Sequence, residues 1–227
     1  MRGEKRQAGE PENKEKIKQS ALRLFSQYGY GSTTVRMIAK DAGLSAGQIT
    51  VHYGSKEELY EQILLDIIHD TLTVFDPIEM EIEMLLNENR LDRDTAWRLI
   101  EKIIDLQIDY CLNPANRSKI MMMYIIVPES KKSEEMNAIL QSTVQHKIEM
   151  MLAQLIQIYS QKKGYLRSRT ISRAVNGAIV SFGEHRNLLL DKVYVGKHSP
   201  NSIEWMKGHL KDFVFNSIKA ADAIDDF

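Results

Sequence analysis

The sequence predicts an all-α chain of about nine helices, because most long segments repeat apolar residues at spacings of three and four. Two further observations support this. Ser, Thr or Asp precede these periodic runs and Gly, Asn or Pro follow them, which is the usual punctuation of helix starts and stops. The sequence also carries no internal repeat, low-complexity tract or βαβ pattern.

Residues 1–10 are polar and are expected to form a flexible tail. The first helix should run from Pro11 or Glu12 to Tyr28, with Ile17, Ala21, Leu24 and Phe25 inward, and Gly29 and Gly31 should end it. Thr34 can cap a second helix in which Val35, Ile38 and Ala39 share one face. Gly43 stands just past that helix, where the backbone often needs a positive φ. Ser45 can cap a third helix, and Ser55 with Glu58 forms a capping box for a fourth. The fourth helix carries Leu59, Ile63 and Ile67 toward Phe75, and Asp76-Pro77 is expected to interrupt it. A separate segment at 77–90 spaces Ile78, Ile82, Leu85 and Leu86 helically and stops at Asn87-Glu88-Asn89. Helical patterns follow at 92–112, 117–127, 133–163, 170–190 and 202–221, divided by Asn113-Pro114, Pro128 and Gly164. The stretch Val193-Tyr194-Val195-Gly196-Lys197 can be extended but is too short to imply a sheet.

The two short helices around Ala42-Gly43-Leu44 have the layout of a helix-turn-helix, whose second helix enters the DNA major groove. Matching residues extend on both sides: Ala21-Leu22-Arg23-Leu24-Phe25, Tyr28-Gly29-Tyr30, Thr33-Thr34-Val35, Ile38-Ala39, Ser45, Gly47, His52-Tyr53 and Lys56-Glu57-Glu58-Leu59. At these residues the chain resembles the TetR family of bacterial transcription regulators. The resemblance implies a DNA-binding domain at 11–71, with its helix-turn-helix at 34–53, and a ligand-binding and dimerisation domain at 72–227. Two positions depart from the family pattern. Thr50 stands where the family usually carries a phosphate-contacting tyrosine, and Tyr53 where it usually has phenylalanine.

Base reading is expected from Gln48, whose amide can pair bidentately with adenine N6 and N7. Ser45, Ala46, Gly47 and Val51 lie along the same helix, and Arg36 projects from the supporting helix toward a base or a phosphate. Thr33, Thr34, Thr50, His52, Tyr53 and Lys56 form the expected phosphate-positioning set, helped by backbone N–H groups at the helix N-terminus. Residues 1–60 hold 10 Lys and Arg against 7 Asp and Glu, a net of +3, while the remainder holds 20 against 24, a net of −4. A mildly basic head on an acidic body suits a DNA binder, although ordinary solvated charge accounts for it equally well.

Several function classes are excluded. The six histidines form no HExxH, no i,i+4 pair and no His–Cys cluster at metal spacing, and there is no Walker loop, GxGxxG or GxSxG. An enzyme, a metal and a cofactor are therefore not expected. No apolar run approaches the roughly 18 residues of a membrane span, and the N-terminus lacks a signal-peptide core, so a cytoplasmic protein is expected. Cys111 is alone, which rules out an internal disulfide and suits a buried, unreactive thiol.

Ala174, Gly177, Ala178 and Ser181 form a small-residue strip that permits close helix contact, and the last helix offers Met206, Leu210 and Phe213. Such strips can pack within one protomer. The resemblance implies instead that the final two helices pair across a dimer axis. The methionine clusters suggest a sensor: Met121, Met122, Met123 and Met151, with Trp97, Ile104, Tyr110, Tyr124 and Phe182, could line an apolar pocket for a small inducer. The expected protein is a homodimeric regulator that binds palindromic operator DNA, a repressor released by a small-molecule effector. The alternative is an activator, or a DNA-bound architectural factor of the same fold without a ligand.

Overall fold

A computed structural model describes residues 10–124, 131–160, 164–184 and 201–223. The helices are α1 (Glu10–Ser32), α2 (Val35–Ala42), α3 (Ala46–Tyr53), α4 (Lys56–Asn87) and α5 (Arg93–Leu112). They continue with α6 (Arg117–Tyr124), α7 (Lys131–Leu140), α8 (His146–Ser160), α9 (Tyr165–Glu184) and α10 (Asn201–Ala223). A 3-10 turn at Pro114–Asn116 leads into α6, and a π-turn at Gln141–Gln145 joins α7 to α8. The described residues thus form nine helical runs and contain no strand. Residues 1–9 of the expected tail and the Val193–Lys197 stretch lie outside the described residues. None of the described helices is long and apolar enough to cross a membrane.

The chain divides into two compact units, residues up to Asp70 with Ser118–Thr143, and Thr71–Arg117 with the residues from Val144 onward. In the first unit, α1 buries Ile17, Ala21, Leu24 and Phe25. Gly29 leaves the helical region at φ 80° and ψ 168°, so the regular helix ends where the glycines predict. The chain then turns into α2 around the buried Thr33, whose hydroxyl donates to the Leu24 carbonyl at 3.2 Å and the Gly29 carbonyl at 2.8 Å.

Helix α4 corrects the expected break at Asp76-Pro77. It runs unbroken from Lys56 to Asn87 with Pro77 inside it. A proline in a helix interior costs about 3 kcal/mol. Phe75, Ile78, Ile82 and Leu85 are buried on either side of it. Burying such side chains contributes roughly 1.5–3 kcal/mol each, more than the proline costs. Lys147 of α8 also pairs with Asp76 at 2.8 Å and Glu79 at 2.5 Å, which pins the helix on both sides of Pro77. Just past its end at Asn87 the chain is turned by Asn89, in the left-handed region at φ 53°, with the Arg90 N–H donating to the Leu85 carbonyl at 2.8 Å.

The second unit is built on α5, capped by Asp92 through the Thr95 N–H at 2.8 Å. Its Ile100, Ile103, Ile104 and Ile108 are fully buried, and it packs against α8, α9 and α10. Lys207 and Lys211 of α10 reach Asp109 and Asp105 of α5 at 2.7 and 2.6 Å. Polar groups are buried here as well. Gln107 donates to Asn176 at 2.9 Å, and the Ser172 hydroxyl donates to the Glu149 carbonyl at 2.8 Å. The Glu149 carboxylate lies 3.5 Å from Arg169 and 3.8 Å from Arg173. At Gly183 a Cβ would stand 2.7 Å from the Cys111 carbonyl oxygen, so α9 crosses α5 at a distance only glycine permits. Burial pushes the Cys111 thiol up to about 12, which agrees with the inert cysteine expected.

Because Pro77 is exposed and its helical setting needs no proline, Pro77→Ala should raise stability by about 1–3 kcal/mol. Urea unfolding with an unchanged m-value checks this.

Candidate nucleic-acid interface

The helix-turn-helix is built by its caps. The Thr34 side chain accepts the Met37 N–H at 3.2 Å and starts α2. Gly43 ends α2 at φ 67° and ψ 29°, and the Leu44 N–H returns to the Ala39 carbonyl at 2.9 Å. The left-handed residue turns the chain sharply enough for Ser45 to begin α3 at once. Gly54 closes α3, its N–H donating to the Thr50 carbonyl at 2.9 Å. Ile38 and Ala39 of α2 and Ile49 and Tyr53 of α3 face inward, and α2 packs on both α1 and α3. An Arg23–Asp41 ion pair adds a tie between α1 and α2.

The outward surface is then determined. Thr34, Arg36, Ser45, Ala46, Gly47 and Thr50 are exposed, and Val51 is 79% exposed. Gln48 and His52 are half-buried. A bare valine on a polar face suits contact with a thymine methyl, and Thr50 offers a hydroxyl beside it. A Cβ built on Gly47 meets only the Ser45 hydroxyl at 4.0 Å. Nothing within the protein therefore requires a glycine at this helical position.

Gln48 has a second task in the free protein. Its Oε1 accepts the Ser45 N–H at 2.9 Å and the Ser45 hydroxyl at 3.2 Å, so it caps its own helix. Adenine pairing needs the same oxygen for N6, so the side chain must leave this cap in order to read a base.

Three members of the expected phosphate-positioning set point inward instead. Thr33 is fully buried and bonded to α1 carbonyls. Tyr53 is buried, its hydroxyl donates to the Lys14 carbonyl at 2.9 Å, and Lys14 Nζ lies 5.4 Å from its ring centroid. Burial pushes that hydroxyl up to about 12, so it remains a donor at neutral pH. Lys56 donates to the carbonyls of Tyr30 at 2.8 Å and Thr33 at 3.0 Å, with its ammonium 4.0 Å from the Tyr30 ring centroid. A cation in the first turn of a helix opposes the helix dipole. The two carbonyls and the ring offset that, and in doing so they clamp the turn between α1 and α2. The sequence holds no signal for the Lys14 anchor, because the acceptor is a main-chain atom brought close only by folding.

The remaining candidates fall in both units. Met122 and Met123 are buried in α6, Met121 is half-buried, and the Tyr124 side chain lies outside the described residues. In the other unit Ile104 and Met151 are core residues and Phe182 is half-buried. The Tyr110 hydroxyl is 3.2 Å from that of Thr71. Trp97 stacks near Tyr159 at 4.8 Å and Phe215 at 5.5 Å, and its Nε1 donates to Glu101 at 2.8 Å. On the outer face of α9, Ala174, Gly177 and Ser181 are exposed and Ala178 is half-buried. Phe213 is exposed on α10, but Met206 and Leu210 are not available for a dimer contact as expected. They are buried with Val214 and Ile218 inside the protomer, because α10 has two apolar faces and these residues lie on the inner one.

An exposed recognition helix held on a buried three-helix core defines a helix-turn-helix DNA-binding transcriptional regulator. The family model for bacterial regulatory proteins of the tetR family matches residues 17–63, the segment that holds the helix-turn-helix. It is 26% identical over 151 residues to the biofilm operon icaADBC HTH-type negative transcriptional regulator IcaR of Staphylococcus aureus, covering 66% of this chain and 71% of that protein. It is 42% identical over 48 residues to the HTH-type transcriptional regulator YerO of Bacillus subtilis, covering 21% of this chain and 17% of that one. A TetR-like transcriptional regulator from Rhodococcus sp. RHA1 shares the fold at a TM-score of 0.58 and 16% identity, covering 91% of this chain and 96% of that one.

Two predictions separate the roles of these residues. Gly47→Ala should stabilise the free protein by about 0.5–1 kcal/mol, since glycine is costly inside a helix, yet weaken operator binding by putting a methyl where the duplex approaches. Thermal melts and mobility shifts on the same preparation check both halves. Lys56→Met should lower stability but leave the slope of log K against log salt unchanged for the folded protein. A phosphate contact would have lowered that slope by about one.

Proposed function

We propose that the chain is a homodimeric repressor of palindromic operator DNA that is released by a small, largely apolar effector in the cytoplasm. Residues 11–71 would bind DNA and residues 72–227 would dimerise and sense the effector. The observation that carries this reading is the outward surface of α2 and α3, where Arg36, Ala46, Gly47, Thr50 and Val51 stand exposed on a buried framework. Gln48 would leave its cap to pair with adenine, with Arg36 beside it. Thr34, Ser45, Thr50 and His52 would hold phosphates.

The dimer is supported by the outer faces of the last two helices. Ala174, Gly177 and Ser181 on α9 and Phe213 on α10 leave small and apolar surface exposed, and Trp205 adds to it at 60% exposure. Twofold symmetry would set two recognition helices on successive major grooves, roughly 34–36 Å apart. Repression is supported by the likeness to a negative regulator that extends over 71% of that protein. Met151 of α8 and Trp97, Ile104, Tyr110 and Phe182 of the same unit are the proposed effector contacts.

Selection from random duplexes followed by mobility shifts tests the DNA reading, with a palindrome of two half-sites as the expected product. A Cβ at Gly177 meets nothing within 4 Å in the protomer, so a larger side chain there leaves the fold intact. Gly177→Leu should therefore yield a monomer by light scattering, with native helicity and loss of tight operator binding. A dimeric variant with normal affinity would place the interface elsewhere.

A further inference from the structure

Within the second unit, a cleft of about 810 Å³ lies between the last turns of α4 and the first turns of α5. Glu81, Met84 and Leu85 form one wall, Thr95, Arg98, Leu99 and Lys102 the other, and the Asn89–Asp92 turn closes one end. The volume falls in the range of small-molecule sites, roughly 300–1,000 Å³. None of the residues proposed above as effector contacts lines it.

The cleft is amphipathic. Leu85 and Leu99 are buried at its base, whereas Met84 is 50% exposed and Met80, one turn earlier, is 60% exposed. Bare methionines at i and i+4 are unusual on a polar helix face, and flexible thioethers adapt to an apolar guest. The three cations differ in what holds them. Lys102 lies 2.6 Å from the Glu81 carboxylate and Arg90 lies 2.8 Å from Glu88. The exposed Arg98 donates to the neutral Thr95 hydroxyl at 3.0 Å, which engages one of its five N–H groups. Asp92, the cleft's other acid, accepts from the Thr95 N–H as the α5 cap, and its carboxyl is held below the usual range by the Thr95 hydrogen bonds and, to a lesser extent, by the nearby Arg98 charge. An entering anion therefore meets a planar guanidinium fork that a carboxylate can engage with two parallel bonds.

We infer that this cleft binds an amphipathic monoanion, a carboxylate with a short apolar tail, its head on Arg98 and its tail along Met84, Leu85 and Leu99. The reading does not depend on the DNA-binding function and is tested on the free protein.

The full chain, labelled with 13C at the methionine methyls, is titrated with decanoate and with decanol, and the Met84 signal is assigned by Met84→Leu. Decanoate should shift the Met84 methyl saturably. Decanol, and decanoate with Arg98→Gln, should bind roughly tenfold more weakly, the worth of a charge-assisted pair. Arg98 is exposed, so the variant keeps its fold, and circular dichroism verifies this. Equal binding of decanol would overturn the proposal by showing that the anion is not recognised. So would unchanged affinity in Arg98→Gln, or shifts confined to Met121, Met122, Met123, Met150 and Met151, which would put the ligand elsewhere.

Discussion

An eight-residue helix is not stable alone in water, so the orientation of α3 depends on its one buried face. Ile49 and Tyr53 supply that face, four residues apart on one side of the helix. Ile49 is held by packing alone, while Tyr53 adds a directional bond from its hydroxyl to the Lys14 carbonyl of α1. Every outward residue of α3 takes its position from these two contacts. The clamp of Lys56 on the Tyr30 and Thr33 carbonyls acts in the same way on the start of α2. Polar side chains that could have reached for phosphate are thus used to hold the frame that presents other residues.

The exposed edge of α3 carries the opposite arrangement. Gly47 weakens the helix without relieving any clash inside the protein, and Gln48 is both the first-turn cap and the amide best suited to a base. Residues that break local rules without internal compensation are commonly found where function sets the requirement.

The second unit shows how a mostly apolar core acquires a single arrangement. Its isoleucines and leucines would tolerate several packings, but the Gln107–Asn176 bond and the Gly183–Cys111 crossing each accept one. Charged pairs from Lys207 and Lys211 hold α10 on α5, so that its inner stripe of Met206, Leu210, Val214 and Ile218 is buried while Trp205 and Phe213 stay outside. One helix thereby serves the protomer with one face and leaves two aromatic side chains, Trp205 and Phe213, exposed among polar residues on the other.

The sequence by itself determined the features that rest on local chemistry. Helical periodicity, the Thr34 cap and the positive φ at Gly43 depend on residues within a few positions of one another, and all are found as expected. The family resemblance, too, was legible from residues at fixed spacing in one short stretch. What depended on distant partners was not. Pro77 reads as a break because its local cost is certain, and only the burial of Phe75, Ile78, Ile82 and Leu85, with Lys147 gripping both sides, shows the helix continuing through it. Thr33, Tyr53 and Lys56 read as phosphate ligands because their chemistry permits it. Only the fold, by bringing main-chain carbonyls from α1 and its turn within 3.2 Å, decided that they face inward. A main-chain acceptor leaves no mark in the sequence, and so these side chains could be assigned only once the tertiary structure had brought their partners to them.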